Sequence, residues 1–582
     1  MKLYTTTILP LLRLIAPDDR KKAFGIIVLM ILNAILDFFS LASFLPLIFL
    51  LVNPDFISSN LYINKLYEAF NFSSQANFII TLTVGVLLLT MFKTTLNHWI
   101  TKAKANFSFS LGSSLSSRML SRYLEIDYLK FTQTDFTREL NRIANLPIAF
   151  ANNIFMPLAN LVTEGLVFLI LLLCIVMYDP GIFLLIITIL APVGLLYRIQ
   201  RKQMKKNTQE IKEKYPLSLK SAMQVVEGLV DIKALGKESF FKIKFDQISQ
   251  RLAHAFARDH ASQSGAIRLT EVIAVLITCL IIIYSVAIGQ GYQQKLLLLG
   301  IYAGASFRMI PSINRILNSI LQIKSHEHLF KELDITGIEA IDVHEPSIPL
   351  KFDKSIEIIG VSFQYPNGAN VLQNASLVIN KGEKIALVGK SGTGKTTLLL
   401  ILLQFLKEQS GQILLDGVGH DRKYQKAWRK IFGYVPQNPY LLDGTIAENI
   451  AFGLTPEQID TTKIEQLIAE LDLEQMISQL PDGLATLVGE KGIKLSGGQR
   501  QRIAIARVLY ADAEVLLFDE ITNQLDTTSE QEILHTLEKA ALRNKTMVMI
   551  THHAHLLNRF DRIVRLENGV LTDESTSKST NW

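Results

Sequence analysis

Apolar positions follow two patterns along the chain. Over the first 323 residues they gather into six long stretches, near 24–52, 77–100, 150–178, 181–198, 269–290 and 296–323. A helix needs about 20 apolar residues to cross a bilayer, so each stretch predicts a transmembrane span. A charged segment at 324–354, including His326, Glu327 and His328, then reads as a linker, with its histidines solvated rather than metal ligands. From about 355 onward, short apolar runs alternate with helix-favouring segments, the pattern of an α/β domain. The predicted fold is an all-α six-helix transmembrane domain at 1–323, a linker at 324–354 and an α/β domain at 355–582.

The polar connections set the orientation. Seven Lys and Arg lie between 101 and 145 and fifteen between 198 and 268, whereas the candidate outer loops hold only Lys65 and Lys295. The positive-inside rule places both long connections and both termini in the cytoplasm. Those connections are rich in helix-favouring residues, with a 3.6-residue period along 217–232, and predict helices that run on past the bilayer. Their turns, near 127–142 and 224–237, are long enough to reach a domain beyond the membrane surface. The outer segment 61–70 offers one apolar face for a short interfacial helix, with an ordinary loop as an equal alternative. The first stretch is too long for a signal peptide and lacks a small-residue cleavage site, so it reads as a retained span.

Composition narrows the class. Hydrophobic residues make up 49% of the chain and charged residues 19%, which argues against disorder and against a plain soluble enzyme. The net charge of +6 conceals a split: 32 Lys and Arg face 19 Asp and Glu up to residue 323, and 27 face 34 after it. A basic membrane half and an acidic soluble half account for that split without a nucleic-acid partner. Cys174 and Cys279 lie inside apolar stretches and read as small apolar helix residues.

The α/β half carries the chemistry. A short apolar run at 385–388 ends in Gly389, Lys390, Ser391, Gly392, Thr393, Gly394, Lys395 and Thr396, and a helix-prone segment starts at Thr397. Strand, glycine loop and helix in that order define a phosphate-binding loop. Its backbone N–H groups and helix N-terminus face the phosphates, Lys395 reaches the β and γ phosphates, and the Thr396 hydroxyl binds Mg²⁺. A second apolar run at 515–518 ends in Asp519 and Glu520. The first carboxylate suits Mg²⁺ and the second suits polarising an attacking water. Between them, Leu495, Ser496, Gly497, Gly498 and Gln499 precede a good helix at 500–507 and supply another set of amides at a helix N-terminus. One γ-phosphate does not need two such sites, so the second is assigned to nucleotide held by a partner subunit.

These motifs together resemble the nucleotide-binding domain of the ATP-binding cassette (ABC) transporters, with 495–499 matching the family's signature. Six spans ahead of one cassette resemble the exporter-type half-transporter, and 486–492 resembles the segment peculiar to exporter cassettes. The resemblance implies ATP and Mg²⁺ as cofactors, transport coupled to hydrolysis, and a homodimeric or heterodimeric assembly in a bacterial inner membrane; both half-sites are complete in this chain, which favours the homodimer. It implies that Tyr365 stacks on adenine and that Gln437 links Mg²⁺ to the membrane domain. It also implies that Glu520 is the catalytic carboxylate, Asp526 the D-loop aspartate and His552 the switch histidine. Two departures stand out. The D-loop reads Asn523-Gln524-Leu525-Asp526 where Ser-Ala-Leu-Asp is usual, and His553 follows the switch histidine where Arg is common.

The motor motifs leave the cargo undetermined. Ionisable residues in or beside the spans are Asp37, Lys93, Glu164, Arg268, Glu271, Arg308 and Arg315. A charge at membrane depth costs at least about 2.5 kcal/mol, so these should face a cavity or one another. Arg308 and Arg315 share a helix face, and a guanidinium fork suits a phosphate oxygen pair; pairing with Glu164 and Glu271 is the competing explanation. The segments 307–315 and 128–133 resemble bacterial flippases of lipid-linked oligosaccharides. That resemblance implies that Lys93, Arg268, Arg308 and Arg315 receive a polyprenyl pyrophosphate. The expected function is ATP-driven flipping of such a lipid-linked saccharide. A multidrug, lipid or peptide exporter on the same scaffold is the alternative, and a soluble P-loop ATPase acting on nucleic acid is the remote one.

Overall fold

A computed structural model describes residues 17–52, 61–69, 72, 74–178, 180–287, 292–333, 350–366, 368, 370–419, 424–522, 527–541 and 544–574. The chain divides into two compact units, one of Met1–Ile126 with Gln133–Ile341, the other of Asp127–Thr132 with Asp342–Trp582.

The first unit is built from long helices, chiefly Pro17–Ala42, Gln75–Leu124, Met156–Tyr178, Pro180–Glu227, Glu238–Ala287 and Tyr292–Ser325. At about 1.5 Å per residue the 50-residue helix Gln75–Leu124 is about 75 Å long, well beyond a hydrocarbon core of about 30 Å. Among the described residues, Asp19–Ser40, Gln75–Leu124 and Phe136–Met177 are long and apolar enough to cross a membrane. The other three predicted spans fall within Pro180–Glu227, Glu238–Ala287 and Tyr292–Ser325. Val84, Leu87, Leu88, Met91 and Phe92 form an exposed apolar stripe at helical spacing, the face such a helix turns to lipid. Further along the same helix, Phe107, Leu111, Leu115 and Met119 are buried with Phe150, Ile154 and Phe155. Gly112 permits that approach, because a Cβ there would sit 3.1 Å from the Pro147 carbonyl oxygen.

The first predicted span is two helices. The helix Pro17–Ala42 stops at Ser43, whose N–H donates to Phe39 O at 2.9 Å and whose hydroxyl donates to Ser40 O at 2.7 Å. Phe44–Val52 then restarts with Pro46 in its first turn, where a missing N–H leaves no helical bond unmade. The outer segment is a helix, Leu61–Ala69, held by Tyr67 packing on Phe78 with ring centroids 5.3 Å apart.

The start of the linker differs from the sequence expectation. Leu329, Phe330 and Leu333 are buried, and Phe330 meets Phe150 edge-on at 5.4 Å, so the adjoining histidines are drawn in with them. His326 Nδ1 lies 2.9 Å from Gln322 O, and burial lowers His328 to about 4. These histidines are half-buried rather than solvated.

The second unit holds two sheets. The described strands are β1 (Ser355–Gln364), β2 (Asn370–Asn380), β3 (Lys384–Val388), β4 (Ser410–Leu415), β5 (Val418–Gly419), β6 (Phe432–Val435), β7 (Val515–Asp519), β8 (Thr546–Ile550), β9 (Arg562–Glu567) and β10 (Val570–Asp573). A six-stranded sheet runs β10-β9-β3-β8-β7-β6, and a four-stranded antiparallel sheet runs β2-β1-β4-β5. In the larger sheet β9 (Arg562–Glu567), β3 (Lys384–Val388), β8 (Thr546–Ile550), β7 (Val515–Asp519) and β6 (Phe432–Val435) are all parallel. Strands β7 and β8 are buried at every position, as continuous apolar runs in a covered parallel sheet should be. The unit also takes in Asp127–Thr132, whose Tyr128 ring stacks on Phe405 with centroids 5.7 Å apart.

Candidate nucleotide site and polar layer

The carboxyl ends of β3, β8 and β7 are adjacent, Leu387 and Asp519 both being in register with Ile550. Loops leaving neighbouring parallel strands converge on one crevice, and here they bring the motif residues together. After β3 the loop 389–396 turns into the helix Lys395–Leu402. Gly389 and Gly394 adopt φ of +151° and +105°, and a Cβ would lie 2.5 Å from Leu566 O or 2.3 Å from Val371 Cγ1, so only glycine fits at either position. Lys390, Ser391 and Gly392 form the exposed rim, and the Thr393 hydroxyl donates to Lys390 O at 2.9 Å.

Lys395 is buried and donates to Gly389 O at 2.9 Å and Lys390 O at 3.0 Å, which poises its ammonium at the loop's mouth. Burial lowers its pKa, against the pull of Glu520 and Asp519. Thr396 Oγ1 donates to Asp519 Oδ1 at 3.0 Å. Burial also raises the Asp519 pKa, opposed by hydrogen bonds from Thr396 and Tyr434 and by the Lys395 charge. These two hard oxygen ligands, side by side under a glycine loop, fit a Mg²⁺–nucleotide pair. Glu520 has φ of +51°, and its Oε1 lies 3.0 Å from His552 Nε2.

Tyr365 is half-buried, with its hydroxyl 3.2 Å from Thr397 Oγ1, and it lines a shallow pocket with Asn370, Val371, Gly392, Thr393 and Gly569. The Gln437 carbonyl accepts from Gln501 Nε2 at 2.6 Å. Ser496 caps the helix Gly497–Tyr510 in a reciprocal box with Gln499: Ser496 Oγ accepts from Gln499 N–H at 3.2 Å, and Gln499 Oε1 accepts from Ser496 N–H at 2.9 Å. Gly497 and Gly498 open that helix. Asp526 lies outside the described residues.

Two tyrosines were not assigned to this site from sequence, Tyr128 having entered only through the resemblance of 128–133. Tyr434, in β6, donates its hydroxyl to Asp519 Oδ2 at 3.1 Å, and burial beside that carboxylate raises its pKa. Tyr128 is raised by burial, with Tyr365 and Asp519 adding to the effect.

In the first unit, three of the four cations assigned to cargo meet two buried carboxylates. Lys93 Nζ is 2.7 Å from Asp37 Oδ1, and Arg308 reaches Asp37 Oδ2 at 2.8 Å and Glu164 Oε2 at 3.3 Å. Arg315 reaches Glu164 Oε1 at 2.6 Å, and the Ser312 hydroxyl donates to Glu164 Oε2 at 2.7 Å. Asp37 is 4% exposed and Glu164 5%, whereas the Arg315 side chain is 57% exposed. Arg308 and Arg315 thus pair with Glu164, as the competing explanation expected, and Arg308 also with Asp37. Arg268 and Glu271 lie in the helix Glu238–Ala287, their side chains outside those described. Lys104, missed from sequence, is buried, donates to Asn160 Oδ1 at 3.5 Å, and lies within electrostatic reach of Glu164 and Arg315.

A phosphate-binding loop beside a Mg²⁺-type carboxylate, joined to a multi-pass helical membrane unit, defines an ATPase coupled to membrane transport. Comparison with known proteins agrees. Residues 372–523 match the ABC transporter family model, and 26–293 match the model of the ABC transporter transmembrane region. The chain is 30% identical to an ATP-dependent lipid A-core flippase of Cupriavidus metallidurans over 72% of this chain and 71% of that protein. It is 31% identical to another of that name from Ralstonia nicotianae, over 72% and 71%. The mitochondrial iron-sulfur clusters transporter ATM1 of Kluyveromyces lactis is 40% identical over 39% of this chain and 32% of that protein. A solved bacterial Atm1-family ABC exporter with ATP bound has the same fold, with a TM-score of 0.75 at 22% identity over 95% of this chain and 94% of that one. The chain belongs to the ABC transporter family, as a half-transporter of the exporter type.

Proposed function

We propose that the protein flips an anionic lipid-linked saccharide, a polyprenyl-pyrophosphate-linked oligosaccharide or a close chemical relative, across the bacterial inner membrane. The observation that carries this reading is the surplus of cations in the polar layer. Among the described residues, Asp37 and Glu164 balance only two of Lys93, Lys104, Arg308 and Arg315, and the Arg315 side chain is 57% exposed. A pyrophosphate would supply the missing negative charge in the forked geometry that arginine recognises. Relatives named as lipid A-core flippases support a lipid cargo. Arg268 is assigned to the same path.

In this reading all six predicted spans cross the membrane, both termini are cytoplasmic, and two copies form the transporter. Each ATP lies between 389–396 with Tyr365 of one copy and Ser496, Gly497, Gly498 and Gln499 of the other, with Asp526 at the seam. Thr396, Asp519 and Gln437 hold Mg²⁺, which neutralises phosphate charge. Glu520 orients and deprotonates the attacking water, and His552, already 3.0 Å from it, fixes its carboxylate.

Proteoliposomes test this. A polyprenyl-pyrophosphate oligosaccharide should raise ATPase activity and be translocated, and an uncharged polyprenyl glycoside should do neither. Equal transport of the uncharged compound overturns the anionic-cargo reading and favours a broad exporter.

A further inference from the structure

Outside the residues assigned to nucleotide and cargo, three side chains of the second unit direct ligand atoms at one point. Glu530 stands in the first turn of the helix Thr527–Ala541. His553 and His555 lie on the segment leaving β8, and their Nδ1 and Nε2 atoms are each 3.4 Å from Glu530 Oε1. The three atoms lie within 4.8 Å of one another. Glu530 Oε1 is buried and accepts no hydrogen bond, so the imidazoles do not satisfy it in the ordinary way. Its side chain is 12% exposed, whereas that of His555 is 59% exposed, which leaves the point reachable from water. We propose that Glu530, His553 and His555 bind a divalent transition metal, foremost Zn²⁺, with water completing the coordination.

The ligand chemistry selects the ion. Two imidazoles and one carboxylate oxygen suit Zn²⁺, whereas Mg²⁺ and Ca²⁺ require several hard oxygens. Tetrahedral bonds of about 2.0–2.1 Å put neighbouring ligand atoms about 3.3–3.4 Å apart. Both nitrogens already stand at 3.4 Å from the carboxylate oxygen. The rings are edge-to-face at 83° with centroids 5.5 Å apart, so their nitrogens approach a common centre from different directions. Rotation of the exposed His555 ring closes the remaining edge.

The site has a consequence for hydrolysis that rests on the catalytic reading of His552. That residue directly precedes His553 and contacts Glu520 at 3.0 Å. Glu530 is on the helix that follows 523–526, the segment containing Asp526. A bound ion ties the strand-end segment to that helix and restrains His552, so Zn²⁺ slows ATP turnover.

Full-length protein without a polyhistidine tag, freed of metal by chelation and held in nanodiscs with excess Mg²⁺, would be titrated with Zn²⁺, and with Co²⁺ as a spectroscopic probe. The expected result is one Zn²⁺ per chain at micromolar concentration and a tetrahedral Co²⁺ spectrum. Both should be lost in His553→Ala and in the shape-preserving Glu530→Gln. Zinc should slow wild-type ATPase several-fold, reversibly with chelator, and leave both variants unaffected. Failure of the wild type to bind, or undiminished binding by both variants, overturns the site. Binding lost in the variants without any wild-type ATPase response overturns the regulatory step and leaves the site standing.

Discussion

Tyr434 donates its hydroxyl to Asp519 Oδ2 at 3.1 Å while Thr396 donates to Oδ1 at 3.0 Å, so both oxygens of the buried carboxylate are satisfied before any ligand arrives. Tyr434→Phe keeps the ring and removes one donor to a charged acceptor. A hydrogen bond of that kind is worth about 1.5–3 kcal/mol, and the loss should appear as lower cassette stability and weaker Mg²⁺-dependent ATP binding. Thermal unfolding and nucleotide titration of the full chain measure both. A variant unchanged in both would show that Tyr434 does not hold Asp519.

Glu520→Gln keeps the side chain's size and its place beside His552 but removes the base. Hydrolysis should fall by about 10²-fold or more while ATP binding persists, because general-base groups contribute on that scale. Lys395→Ala should instead weaken binding itself, since its ammonium stands at the mouth of the loop. Wild-type turnover in the Gln variant would remove Glu520 from the mechanism.

Burial holds the folded His328 near 4, against an ordinary value of 6.5. Between those values an unfolded chain binds a proton that the folded chain refuses. Folding stability is therefore fully present above the unfolded value and is lost as pH falls from 6.5 toward 4. His328→Gln should flatten this acid-side loss. Unfolding midpoints measured near pH 7 and near pH 5 check it, and an identical drop in wild type and variant would rule out the burial account.

What could be read from sequence follows from how local each signal is. The loop 389–396 was legible because its glycines, lysine and threonine are consecutive, and Asp519 because a carboxylate directly ends an apolar run. Tyr434 was not, since its partner is 85 residues away and only the parallel pairing of β6 with β7 brings them together. Lys104 lies past the apolar stretch 77–100, so it reads as a cytoplasmic charge. The unbroken helix Gln75–Leu124 is what carries it inward to Asn160. His326 and His328 misled because their charged neighbours hid the weight of Leu329, Phe330 and Leu333, which bury that turn. Asp37 was recognised as an ionisable residue at membrane depth, but its choice of Lys93 and Arg308 depends on helix packing that periodicity does not encode.

Arg308 and Arg315 separate structure from transport. Arg308 bridges Asp37 and Glu164, both nearly fully buried, so Arg308→Ala takes one of its partners from each carboxylate, leaving Lys93 on Asp37 and Arg315 with Ser312 on Glu164. Breaking such a buried pair costs about 3–5 kcal/mol, and this variant should be visibly less stable. Arg315 shares Glu164 with Ser312 and Arg308 and is mostly exposed, so an exposed ion pair of about 0–1 kcal/mol is all that Arg315→Ala should lose. If the accessible guanidinium receives an anionic headgroup, Arg315→Ala should nonetheless cut glycolipid flipping and its stimulation of ATPase at least tenfold, with basal ATPase retained. Arg315→Lys should restore part of it, because the charge returns without the fork. Paired measurements of unfolding midpoint and flipping rate decide the matter. An Arg315→Ala protein that flips normally would confine these cations to holding the helices together.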